Sequence, residues 1–197
     1  MRRMFIPQRH RDMAFGKVFI ATSVDGFIAR DDGSIDWLPP GEPGEDHGYA
    51  AFIDSVDGIV MGRSTYDTVL GFEPWPFTKP VVVMSRTLGP ADVPAHLADR
   101  LRISGAEPVQ LVAQLQAEGW RQAYIDGGTL IRAFLRAGLI GEMVLTRVPV
   151  LIGSGRPLFG PLEQDLRLHC LDTRQYANGL VSSRYRVQSP SRGDRHD

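Results

Sequence analysis

One cysteine, Cys170, is all that the 197 residues contain, so neither an internal disulfide nor a cysteine-based metal cluster can form. It lies in the alternating run LRLHCLDTRQY and reads as an inert strand residue, not a nucleophile. A reducing cytoplasm is the expected location, and no metal site is expected. Long apolar runs are missing as well. Nothing approaches the roughly 18 residues of a membrane span, so no membrane is expected as a partner. The N-terminal MRRMFIPQRHRDMAFG carries positive charge without the continuous apolar stretch of a secretory signal. Charge of one sign is not in excess, since the net is −1, and no nucleic acid is expected as a partner. G-x-G-x-x-G does not follow the first apolar run, and G-x-x-x-x-G-K-[ST] is absent. A standard Rossmann dehydrogenase and a P-loop NTPase are thereby excluded.

What is present suits one well-filled core. Apolar residues make up 43% and charged residues 23%, ordinary for a globular protein of this length. Residues 1–15 read as an N-terminal extension, 16–188 as the folded domain and 189–197 as a polar, disordered tail. Within the domain, VFIATSV (residues 18–24), Gly58–Met61, Lys79–Met84, Leu101–Ser104 and Ala123–Ile125 read as buried strands. Helices are expected over residues 45–55, 108–118 and 130–137, with a further helical stretch that follows Gly62-Arg63-Ser64-Thr65 and runs through Leu70. The helix over 108–118 would bury Val109, Val112 and Leu115. Glu142–Val150, Leu166–Tyr176 and Leu180–Val187 read as further strands, the last two joined by a tight turn at Asn178-Gly179. This order predicts an α/β fold with a mixed, mostly parallel sheet flanked by helices and closed by an antiparallel hairpin. Residues 31–44 form a loop by composition. Because Ile35, Trp37 and Leu38 lie in it, it should fold back over the core or a ligand.

Three strands run directly into glycine- or hydroxyl-rich turns: MGRSTY, VMSRT and YIDGGT. Ligands of an open α/β sheet lie beyond the carboxyl ends of its strands, and helix N-termini favour phosphate. Gly62, Gly127 and Gly128 permit close approach of the backbone. Arg63 and Arg86 supply forked cationic donors. For any single turn a plainer role is equally good: Ser64, Thr65 and Thr129 capping helices, with the arginines in solvent. Three such turns in succession favour an extended, phosphorylated cofactor.

The motifs VFIATSVDGFIA, DWLP, MGRSTY, VVVMSR, IDGGTL and LTRVPVLIG, in that order, resemble the dihydrofolate reductase superfamily. SVDGFIA and PVLIGSGRPLF are more similar to the reductase domain of bacterial riboflavin biosynthesis and its stand-alone relatives. The resemblance spans about residues 17–187. It implies a dihydrofolate reductase-like three-layer fold, NADPH as cofactor, a small-molecule substrate and a homodimer. It also implies roles for particular residues. Ala21 would offer its backbone to the nicotinamide carboxamide, and Ile28 would pack near the ring. Arg63, Ser64 and Thr65 match the cofactor-phosphate turn, and Ser85 and Arg86 the turn beside the adenosine 2′-phosphate. Gly127, Gly128, Thr129 and Leu130 match the loop under the pyrophosphate. That loop often opens with a cis peptide, here Asp126–Gly127.

On the substrate side the resemblance implies Trp37 in the mobile loop, Asp46 as the pterin-anchoring carboxylate and Thr146 as its threonine partner. Glu45 and Asp36 compete with Asp46, which could equally favour a helix N-terminus. His47 is a candidate proton relay or an exposed loop histidine. Arg156 could hold a substrate phosphate or serve a subunit contact, while Asp25 would organise the backbone after the first strand. With no H-x-E…P-C-x-x-C motif, the chain does not carry the zinc deaminase chemistry. Three functions follow as expectations: reduction of a ribosylated pyrimidine of the riboflavin pathway, reduction of a pterin, or nucleotide binding without turnover.

Overall fold

The computed structural model describes residues 14–40 and 45–188. Its strands are β1 (Gly16–Ser23), β2 (Phe27–Ala29), β3 (Gly58–Gly62), β4 (Val81–Met84) and β5 (Leu101–Ser104). They continue with β6 (Ala123–Asp126), β7 (Ile140–Val148), β8 (Arg156–Pro157), β9 (Leu168–Gln175) and β10 (Val181–Val187). Side chains alternate across a strand, and here both faces are buried. Val60, Val82 and Ile125 enter one core, while Ile59, Met61, Val81, Val83 and Tyr124 enter the other. Helices α1 (Tyr49–Asp54) and α2 (Arg63–Val69) close the second core through Phe52, Tyr66 and Val69. Helices α3 (Pro108–Ala117) and α4 (Gly128–Arg136) close the first through Leu111, Leu115, Ile131 and Phe134. The result is the three-layer arrangement expected.

The main sheet runs β5-β4-β3-β6-β1-β7-β10-β9. The six strands from β5 to β7 are mutually parallel. β10 pairs antiparallel with β7 and with β9, the C-terminal hairpin. Its turn carries Gly179 at φ 85°, in the left-handed region that a tight hairpin requires. The parallel strands all finish at one edge, so the turns after β3, β4, β5 and β6 are brought together there.

Several expectations change in detail. α3 buries Leu111, Val112 and Leu115, whereas Val109 is exposed. At 3.6 residues per turn Val109 is rotated about 120° from Leu115, past the buried stripe. Helix α1 begins at Tyr49, four residues later than its composition indicated. Phe15 is buried in the first core, and its carbonyl accepts from the Ala123 N–H at 3.0 Å. The packed structure therefore includes Phe15, a residue of the expected extension 1–15; residues 1–13 of that extension and the tail 189–197 lie outside the described residues. The peptide at Asp126–Gly127 is not cis, since the cis bond among the described residues is Glu73–Pro74. The chain turns there through Gly127 at φ 93° instead. β8, unforeseen, pairs with β2 in a small second sheet. Two residues in a Gly/Pro-rich stretch offer no periodicity to read.

Candidate functional site

A cavity of about 1020 Å³ opens at the carboxyl edge of the parallel strands. All three strand-end turns face it, and so do Ala21 from β1 and Ile28 from β2. In the first turn, Arg63 donates from Nη1 to Thr87 Oγ1 at 2.8 Å and faces Asp67 across one helical turn at 3.4 Å. Ser64 Oγ accepts from Arg156 Nη1 at 3.2 Å. In the second, Ser85 Oγ accepts the Thr87 and Leu88 N–H groups, which shapes the loop that carries Arg86. Arg86 Nη2 donates to Glu107 Oε1 at 2.6 Å. Ser64, Thr65 and Thr129 all line the cavity, and neither α2 nor α4 is capped by a side-chain hydrogen bond.

The third turn is the most constrained. A Cβ at Gly127 would stand 2.5 Å from Thr65 Oγ1, and one at Gly128 would stand 2.6 Å from Ile28 Cδ1. Together with the positive φ of Gly127, this leaves glycine as the residue that fits. The close approach also joins the first turn to the third. Gly128, Thr129 and Leu130 open α4, where by helix geometry the first N–H groups lack intrahelical acceptors and point towards the cavity. Thr129 Oγ1 accepts from Arg132 Nη2 at 3.2 Å.

Asp126, the last residue of β6, brings a carboxyl group into the same wall. Burial pushes its pKa up to about 6, against the Gly127 N–H that donates to Oδ1 at 2.8 Å and the Tyr124 hydroxyl nearby. Tyr124 donates to the Phe19 carbonyl at 2.9 Å, and burial raises its own pKa well above the ordinary value. The sequence motifs assign no chemical role to the Asp126 side chain. The available signal was an acidic residue closing an otherwise apolar strand, AYID.

A second cavity of about 230 Å³ adjoins the first, sharing Phe19, Ala21 and Leu38. Ala21 is in register with Thr146, and Thr146 with Ser182. The buried Thr146 hydroxyl donates to Ser182 Oγ at 3.1 Å. Asp46 lines this cavity beside Thr146, and its two oxygens accept the Gly48 and Ala50 N–H groups at 2.9 and 2.8 Å. Those amides hold its carboxyl below the ordinary range. Asp46 thus ties down the start of α1 and faces the pocket at once. Of its competitors, Glu45 faces Arg174 at 3.7 Å and Asp36 pairs with Arg30 at 2.6 Å, and neither lines a cavity.

Trp37 lines neither cavity. It packs with Val148, Tyr176 and Leu180, and its buried indole N–H has no partner among the described residues. Ile35 and Leu38 do face the large cavity, so the loop folds over both core and cleft. His47 lines the small cavity, its ring 4.6 Å from that of Tyr176 and its Nε2 3.4 Å from Asn178 Nδ2. Arg156 lies on the large cavity, held by the Asp31 carbonyl as well as by Ser64. Asp25 accepts the Ile152 and Gly153 N–H groups and so ties the turn after β1 to the segment before β8. Cys170 is exposed on β9, away from both cavities.

Residues 14–182 match the RibD C-terminal domain family. The fold is similar to that of a protein from Shewanella sp. PV-4 named for riboflavin biosynthesis, with a TM-score of 0.83 and 42% identity over 90% of this chain and all of that one. It is also similar to the diaminohydroxyphosphoribosylaminopyrimidine deaminase/5-amino-6-(5-phosphoribosylamino)uracil reductase of Thermotoga maritima, with a TM-score of 0.69. There the identity is 12%, covering 89% of this chain and 57% of the longer one, so that likeness concerns the fold. Among curated sequences, YwjB of Bacillus subtilis (strain 168), itself uncharacterized, is 33% identical over 83% of this chain and 92% of its own length.

Proposed function

The chain belongs to the RibD C-terminal domain family, and from that premise we propose that it is an NADPH-dependent reductase of a small heterocyclic or ribosyl-linked substrate. The observation that carries this reading is the convergence of three strand-end turns on one cleft of about 1020 Å³. A dinucleotide fits that donor set. Arg63 and Arg86 provide cations for phosphate, the opening N–H groups of α4 suit the pyrophosphate, and the glycines let the backbone come close. The second arginine, in the turn after β4, favours the cofactor that carries a 2′-phosphate.

A bound dihydronicotinamide supplies hydride, and the protein's task is geometry, exclusion of water and a proton. Ala21 stands where the two cavities meet, so its backbone can orient the ring's carboxamide. Ile28, pressed against Gly128, covers one side with apolar surface. Asp126 holds a proton on its carboxyl group up to about pH 6 and can pass it to the substrate atom that gains negative charge. Thr146 and Asp46 offer a hydroxyl and a carboxylate to a substrate in the small cavity, which also suits a pterin ring.

Titration with NADPH and NADH, followed by stopped-flow oxidation of the bound cofactor with ribosylated pyrimidine or pterin substrates, tests the proposal. Tighter binding of NADPH and its oxidation by one substrate class are expected. Binding without oxidation would instead favour a nucleotide-binding protein, and failure to bind NADPH would end this reading.

A further inference from the structure

The two cavities differ in charge. Arg63, Arg86, Arg132 and Arg156 all line the large one. Among the described residues that line the small one there is neither lysine nor arginine. Its walls are aromatic and aliphatic, with Phe19, Leu38, Tyr49, Val148 and Leu180 around the space. Its one carboxylate is Asp46, kept ionised by two amide N–H groups. The His47 ring is engaged by Asn178 and lies against Tyr176. Arg174, over the Tyr176 ring at 4.7 Å, faces Glu45.

We propose that the small cavity selects an uncharged heterocycle, free or bearing a neutral sugar, and disfavours a phosphorylated substrate. This rests on the reading that the large cleft holds the nucleotide, which would occupy the arginine-lined space. A phosphate monoester carries about −1.5 to −2 charges at neutral pH and needs cations or several aimed N–H donors. Beside Asp46 it meets a like charge, and leaving water for apolar walls costs it solvation that no lysine or arginine among the described lining residues offsets. The volume points the same way. About 230 Å³ lies below the range of roughly 300–1,000 Å³ usual for drug-sized ligands, a space for a ring system with little appended to it.

The test uses two probes that differ only in the phosphate, 5-amino-6-ribosylaminouracil and its 5′-phosphate. Each is titrated into the full chain already saturated with NADP⁺, following tryptophan fluorescence, and is then assayed for NADPH oxidation. The dephosphorylated probe is expected to bind at least tenfold more tightly and to show the higher kcat/KM. Pro40→Arg, at an exposed position on the cavity's rim, should raise affinity for the phosphorylated probe about tenfold while hardly changing that for the other. Equal or tighter binding of the phosphorylated probe to the parent protein overturns the proposal, as does failure of both probes to bind. Saturation with NADP⁺ is measured first, so a failure of the nucleotide reading is distinguished from a failure of this one.

Discussion

Arg86 and Glu107 meet at 2.6 Å on the wall of the large cavity, a guanidinium already occupied by a carboxylate where a cofactor phosphate is expected. Both side chains are largely exposed, so the pair itself adds little to stability. Its consequence lies in binding, because an incoming 2′-phosphate competes with Glu107 for Arg86. Arg86→Ala is expected to weaken NADPH by roughly 1.5–3 kcal/mol, the range for a charge-assisted hydrogen bond. Glu107→Gln should tighten NADPH several-fold by removing the competitor. NADH should hardly respond to either change. Fluorescence titration of both nucleotides checks this, and equal losses for the two with Arg86→Ala would remove the role assigned to that arginine.

Asp126 gives a pH dependence whose sign can be worked out. Its folded pKa, about 6, is raised above the ordinary 3.8. The protonated acid is therefore available below pH 6, and turnover limited by proton donation falls about tenfold per unit above it. Asp126→Asn should lower kcat by about 10²–10⁴-fold and flatten the profile. Stability moves in the opposite direction. The folded state prefers the neutral carboxyl group, so the contribution is full below pH 3.8 and is lost as pH rises through 6. Asp126→Asn should then be ~3 kcal/mol more stable than the parent at pH 8 and within ~1 kcal/mol of it at pH 4. Urea titrations at the two pH values would show whether burial acts in this way.

Gly127 is constrained twice, by φ 93° and by the approach of Thr65 Oγ1. Gly127→Ala should cost about 1–3 kcal/mol of stability and weaken nucleotide binding. Adding Thr65→Ala relieves the close contact but not the backbone strain, so it should recover only part of the loss. Full recovery in denaturant titrations would assign the whole effect to the contact.

Asp25 links two stretches far apart in sequence by accepting the N–H groups of Ile152 and Gly153. Asp25→Ala should raise amide exchange at those two positions, because both N–H groups lose the carboxylate that accepts them. Unchanged exchange would mean that the small β2–β8 sheet holds the segment without it.

Much of the fold was legible because its strands are short apolar runs punctuated by glycine turns. β5 begins and ends where its pattern predicts, and the Asn178-Gly179 hairpin follows from local turn chemistry. The cofactor turns were readable for the same reason, since phosphate chemistry draws on a few residue types at strand ends. α1 was harder. Its true start depends on the Asp46 carboxylate accepting the Gly48 and Ala50 N–H groups, which the acidic run GEDH does not distinguish from Glu45. β8 was invisible because its partner, β2, lies over a hundred residues earlier. Asp126 was passed over because its altered acidity comes from tertiary burial and not from its neighbours in sequence. Trp37 shows the converse, a residue singled out by resemblance that lines neither cavity and instead packs on Val148 and Leu180, two residues of the small cavity's wall.

A crystal structure with NADP⁺ soaked in tests the central claim most directly. The account predicts one dinucleotide lying across residues 62–65, 85–86 and 127–130, with its nicotinamide beside Ala21 and Asp126. A nucleotide bound elsewhere, or a cleft that stays empty at saturating concentration, would contradict it.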